Sequence, residues 1–145
     1  VRRLLIDTSV LIKWFHAEEE ADLSAARSIR DAHVRGDCEA HILDLAVYEV
    51  GNVLVRALRW PAQEVADQLD DLEAVLGPPL GMAPAWRRAA SVLAIDHALS
   101  FYDACWAAAA RELDVPLVSA DRRLLDAGLA ESATDASLRL GLPVQ

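Results

Sequence analysis

Two short apolar runs, "LLI" at 4–6 and "VPLV" at 115–118, are separated by long stretches of helix-patterned sequence. That separation most constrains the fold. Neighbouring antiparallel strands can be joined by a tight hairpin, whereas parallel strands need a long crossover, usually a helix. Strands that are apolar throughout are those covered on both faces. The pattern predicts an α/β domain in three layers (α/β/α), with a mostly parallel central sheet between two sets of helices.

The rest of the chain fits that frame. Residues 3–6 read as the first strand. Asp7, Thr8 and Ser9 supply capping oxygens for a helix over 9–15. A second helix runs through "EEEADLSAARSIRDAHVRG", with Ala25, Ile29, Ala32 and His33 on one face and Gly36 as its stop. "EAHIL" reads as the second strand, and Asp44 as the N-cap of a helix over 45–60. That helix has an apolar stripe of Ala46, Val50, Val53, Leu54, Ala57 and Leu58. Pro61 opens a further helix that carries Val65, Leu69, Leu72 and Leu76 and stops at Gly77. "GPPLGMAP" is a loop with room for a brief strand. Helices follow over 85–98 and 100–113, then the strand "VPLVSAD" and a short helix "RRLLDAG". The tail after Gly128 is expected to hold a last strand near "ASLRL".

With 145 residues, 54% of them hydrophobic and 26% charged, the chain is long enough for one domain over 1–145 and is not of disordered composition. The net charge of −9 argues against non-specific nucleic-acid binding through bulk electrostatics. It leaves room for a nucleic-acid enzyme whose acids gather metal. Cys38 and Cys105 are too few and too far apart for a metal knuckle and read as free thiols in a reducing compartment. Asp7 and Lys13 break the apolar run after Arg2-Arg3, and no window is as long as a membrane span. The expectation is a cytoplasmic protein.

In open parallel sheets, ligands bind beyond the carboxyl ends of the strands. Asp7 stands at one such end and Asp121 just past another. Asp7 either caps the next helix or binds something, because a buried carboxylate is costly unless it is paired. Glu49 lies at the edge of an apolar stripe by three- and four-residue steps. Asp103, three residues after Ser100, completes a capping-box pattern. Each acid alone has an ordinary structural reading. Gathered at one sheet edge they would repel by roughly 4 kcal/mol per pair at about 4 Å, and would raise each other's pKa or recruit a cation. Oxygen ligands without a matching His or Cys set favour Mg²⁺ or Mn²⁺ over Zn²⁺. His16, His33, His41 and His97 lack zinc spacing, and there is neither a GxSxG elbow nor a P-loop.

The segments "LLIDTSVLI", "YEVGNVL" and "SFYDACWAAAARELDVPLVSAD", in that order and spacing, resemble the PIN-domain ribonucleases, specifically the VapC-type toxins of bacterial type II toxin–antitoxin pairs. The resemblance spans almost the whole chain. It implies an Mg²⁺- or Mn²⁺-dependent endoribonuclease in which Asp7, Glu49, Asp103 and Asp121 gather the metal. Asp7 and Asp103 match the usual direct ligands. Glu49 and Asp121 either bind directly or hold waters and a second ion. Thr8 or Ser9, and Ser119, match hydroxyls that orient the carboxylates. The resemblance also implies an RNA substrate, a homodimer, and a small VapB-type antitoxin that lays a helix along an apolar groove.

Lys13, Arg122 and Arg123 are the basic residues placed nearest the acids in sequence, with Arg56, Arg59, Arg87 and Arg88 as further candidates for RNA contacts. Trp14, Tyr48, Tyr102 and Trp106 are candidate base-stacking residues, though aromatics at helical spacing are commonly core. Other readings are a PIN-like binding protein without useful catalysis, a DNA-cleaving PIN nuclease and a metal-dependent small-molecule phosphatase. A phosphorelay receiver domain would want paired acids after the first strand and a lysine after the last, and this chain has neither.

Overall fold

The computed structural model describes residues 2–16 and 22–143. The expected start of the second helix, at 18–21, lies outside the described residues. Three strands form the sheet: β1 (Arg3–Ile6), β2 (Glu39–His41) and β3 (Leu117–Val118), in the order β2-β1-β3. Both pairs are parallel, with Leu5 opposite His41 on one side and Leu117 on the other. Leu4, Leu5 and Ile6 are fully buried, as expected of a central strand covered on both faces. Single parallel bridges widen the sheet, Leu80 beside Leu43 and Glu131 beside Val118. Leu80 is the brief strand anticipated in "GPPLGMAP".

Eight helices among the described residues surround this sheet: α1 (Thr8–Leu11), α2 (Leu23–Arg35), α3 (Asp44–Asn52), α4 (Ala62–Leu76), α5 (Pro84–His97), α6 (Phe101–Leu113), α7 (Arg122–Asp126) and α8 (Ala133–Leu140). α1 continues as a 3₁₀ turn over Ile12–Trp14. α2 ends where Gly36 takes φ 84° and closes its amide on Ala32 and His33. The His33 ring then ties three elements together. Its Nδ1 accepts from the Ala40 amide at 3.0 Å, which leaves Nε2 as the donor to the Val75 carbonyl at 2.7 Å.

Three expectations are corrected. Asp44 is the first residue of α3, and Leu43 occupies the cap position without a side-chain bond. The Asp44 amide donates to the Leu80 carbonyl at 2.8 Å, so pairing with Leu80 satisfies the first free donor of the helix. The helix expected over 45–60 changes at Val53 into a π turn over Val53–Ala57 and stops before Arg59, at φ 55°. The wider turn keeps Leu54 in the core and leaves Ala57 exposed. Trp60 meets Phe15 edge-on at 6.2 Å.

The tail is the third. "ASLRL" lies in α8, not in a strand, because Ser132 caps the Asp135 amide and Ala133, Ala136, Ser137 and Leu140 are buried at helical spacing. α8 packs against α2. The added strand position falls earlier, at Glu131.

Candidate active site

The chain runs from β1 to β2 on one side of the sheet and then crosses to β3 on the other. The direction of winding reverses next to β1, the point at which open parallel sheets place their ligands beyond the carboxyl ends of the strands. Asp7 is the first residue past β1, only 5% exposed. Its extended backbone makes it the N-cap of α1, and Oδ1 accepts from the Ser9 amide at 3.0 Å and from the Ser9 hydroxyl. Oδ2 accepts from Ser119 Oγ at 2.5 Å. Burial pushes the Asp7 carboxyl up to about 6, against the opposing pull of the Ser119 and Ser9 bonds.

The two serines also bind β1 to β3. Ser119 Oγ accepts from the Asp121 amide at 2.9 Å, and Ser9 Oγ accepts from the Ala120 amide at 2.8 Å. Asp121 caps α7 through the Arg123 amide at 2.9 Å.

Glu49 reaches this end of the sheet from α3. Its Oε1 accepts from Thr8 Oγ1 at 3.0 Å and from Trp106 Nε1 at 3.4 Å. Burial raises the Glu49 pKa, the two bonds lower it, and the charge of Asp103 raises it again. Asp103, in the first turn of α6, is raised by burial first and then by the charge of Asp121, with Arg123 opposing. The four acids thus form a closed ring of neighbours. Asp7 and Asp121 share Ser119, Asp121 acts on Asp103, Asp103 acts on Glu49, and Glu49 is held by Thr8 beside Asp7.

This donor set is all oxygen; burial pushes the Asp7, Glu49 and Asp103 carboxyls toward protonation, and the charge of a neighbouring acid adds to this at Glu49 and Asp103. A hard divalent cation relieves both, so the side chains fit Mg²⁺ or Mn²⁺ by their chemistry. Among the described residues, no three Asp, Glu, His or Cys side chains stand together as a preformed chelate. Loading an ion would therefore require side-chain rotation within the ring.

The basic residues are placed unequally. Arg122 and Arg123 are exposed on α7, and Arg123 is close enough to act on Asp103. Lys13 is only 6% exposed and has little surface to offer a substrate. Trp106, grouped in the sequence with aromatics suited to stacking, is buried and bonds Glu49. Its position three residues after Asp103 on one helix was the available signal for that role. Cys38 and Cys105 are buried free thiols, and no described helix is long and apolar enough to cross a membrane.

The chain is 29% identical over 128 residues to the ribonuclease VapC3 of Pyrobaculum aerophilum, a match covering 86% of this chain and 93% of that protein. The crystal structure of PAE2754 from the same organism superposes with a TM-score of 0.70 at 25% identity, covering 97% of this chain and 96% of the other. The model of the PIN domain matches residues 4–129, which include all but the first residue of β1, the whole of β2 and β3, and all four acids of the ring, and the chain belongs to the PIN-domain family.

Proposed function

We propose that this PIN domain is an Mg²⁺- or Mn²⁺-dependent endoribonuclease and the toxin of a type II toxin–antitoxin pair, held in check by a small VapB-type antitoxin. The ring formed by Asp7, Glu49, Asp103 and Asp121 carries the reading. The relative named ribonuclease VapC3 supports the activity and the toxin role. That relative is archaeal, so the reading does not extend to a bacterial source. A homodimer and a cytoplasmic location belong to the same reading.

Asp7, Asp103, Glu49 and Asp121 would hold the ion. When bound, it supplies polarisation of a phosphoryl oxygen and lowers the pKa of water. The remaining work falls to the chain. Ser9 and Ser119 fix the Asp7 carboxylate from both oxygens, and Thr8 and Trp106 fix Glu49. Arg123, on the exposed side of α7, offers a guanidinium to the phosphate that the acids alone would repel.

The test is cleavage of total RNA by the purified chain with Mg²⁺ or Mn²⁺, beside Asp7→Asn and an EDTA control. Metal-dependent cleavage that vanishes in the variant is the expected result. Cleavage that survives both EDTA and Asp7→Asn would overturn the assignment.

A further inference from the structure

The end of the sheet opposite the acids carries a basic cleft. Against β2, the pairing of β1 starts at Arg3 with Glu39, but against β3 it starts only at Leu5 with Leu117. The ladder stops there because the donor that would meet the Arg3 carbonyl belongs to residue 116, and Pro116 has no N–H. Beyond that point the seam stays open as a cleft of about 520 Å³, a size usual for small-molecule sites. Arg2, Arg3 and Arg139 line it, with Asp114 as its one acid. Three guanidiniums against one carboxylate make this cleft positive in a chain of net charge −9.

Two of the arginines are held in place. Arg2 Nη1 donates to the Leu140 carbonyl at 2.8 Å, and Arg139 donates to Glu131 from Nε at 3.2 Å and from Nη2 at 2.5 Å. A guanidinium has five N–H donors, so both keep donors for a ligand. The Arg2 bond serves the carboxyl end of α8, an ordinary role for a cation. Arg3 has no such role. It is exposed and, among the described residues, its side chain makes no hydrogen bond or ion pair.

We propose that this cleft binds a compact phosphate-bearing anion, either inorganic pyrophosphate or the diphosphate of a nucleotide. Planar guanidiniums meet phosphate oxygens in paired bonds, and two that are already fixed lower the cost of ordering the site. The cleft is separate from the acid ring. Arg3 opens β1 and Asp7 follows its last residue, roughly 13 Å away at about 3.3 Å per residue. The inference therefore does not depend on the nuclease reading.

The test titrates the full chain with pyrophosphate, ADP and adenosine in EDTA, where no cation can bridge phosphate to the acids. Calorimetry and the arginine side-chain NMR signals read the binding. Pyrophosphate should bind and shift the Nε–H signals of Arg2, Arg3 and Arg139, and adenosine should not. Arg3→Ala should weaken binding by about tenfold to a hundredfold, the range for hydrogen bonds to a charged group. Arg3→Lys should restore only part of the loss, because lysine keeps the charge without the fork. Arg122→Ala, at the other end of the sheet, should bind like the parent. Affinity for ADP above that for pyrophosphate assigns a nucleotide, and equal or lower affinity assigns the inorganic anion. Absence of pyrophosphate binding, or an Arg3→Ala variant that binds like the parent, overturns the proposal. An equal loss in Arg122→Ala, the mark of bulk charge, overturns it as well.

Discussion

Ser119 Oγ donates to Asp7 Oδ2 at 2.5 Å and accepts the Asp121 amide at 2.9 Å, so one buried hydroxyl joins the exits of β1 and β3. Its two bonds position both acids. Ser119→Ala removes a hydrogen bond to a buried carboxylate, which typically costs about 1.5–3 kcal/mol. It also removes the largest influence holding the Asp7 pKa down, so that pKa rises further. The variant should unfold at lower urea, and the acidic limb of its pH–rate profile should move to higher pH. An unmoved limb would show that Ser119 does not act through Asp7.

Asp7 also sets a pH dependence of stability. Its folded pKa, about 6, lies above the ordinary 3.8, so the folded state holds this proton more tightly than the unfolded state does. The group's contribution is full below about pH 4, is lost as pH rises through about 6, and is flat beyond. The shift corresponds to roughly 3 kcal/mol of destabilisation at neutral pH. In metal-free protein, Asp7→Asn should therefore raise the urea midpoint at neutral pH, and with Mg²⁺ or Mn²⁺ added it should abolish cleavage. The gain should be smaller than the full shift, because asparagine replaces one acceptor oxygen with a donor. A lower midpoint at about pH 7.5 would refute the argument.

Residues at strand ends were the most legible in the sequence. Asp7 follows an apolar run directly and Asp121 comes three residues after another, and the general placement of ligands beyond parallel strands singled out both. Asp103 was marked by its three-residue spacing from Ser100, and the Ser100 hydroxyl does accept its amide at 3.1 Å. The partners across the ring were not legible. Thr8 bonds Glu49 across 41 residues and Trp106 does so across 57, contacts that periodicity along one helix cannot encode. The π turn after Asn52 was hidden for a related reason. Val53 and Ala57 continue the helical stripe in sequence, and tertiary packing of Leu54 shifts the register away from it.

Metal loading should itself depend on pH. A cation binds carboxylates in their ionised form, and Asp7, Glu49 and Asp103 are all pushed toward the protonated one. Mn²⁺ binding should release protons and strengthen as pH rises through about 6. Calorimetry in buffers of different ionisation enthalpy reads both effects. Affinity that does not change between about pH 5 and 7.5 would place the ion away from these carboxyls.

Trp106→Phe separates the indole bond from the packing of the ring. The variant keeps an aromatic in the buried position and deletes the donor 3.4 Å from Glu49 Oε1. Glu49 then loses a bond that lowers its pKa, so it ionises at higher pH. Cleavage near pH 6 should fall more than cleavage near pH 8, with a stability change within about 1.5 kcal/mol, the ordinary range for one hydrogen bond. An equal loss at both pH values would assign Trp106 to packing alone.

The helical tail makes a prediction that distinguishes it from the strand its composition suggests. In a strand, residues 136, 138 and 140 share one face, whereas in α8 Ala136, Ser137 and Leu140 are buried and Leu138 is 63% exposed. Leu138→Asp should therefore be tolerated, within about 0.5 kcal/mol as for other surface changes. Leu140→Ala should cost about 2–4 kcal/mol, the usual range for emptying a buried leucine site. Removing the cap with Ser132→Ala should cost about 1 kcal/mol. None of these residues belongs to the acid ring, which ends at Asp121, so the specific activity of folded protein should be unchanged. Urea midpoints measured beside cleavage rates separate stability from function. Comparable losses at 138 and 140 would restore the strand.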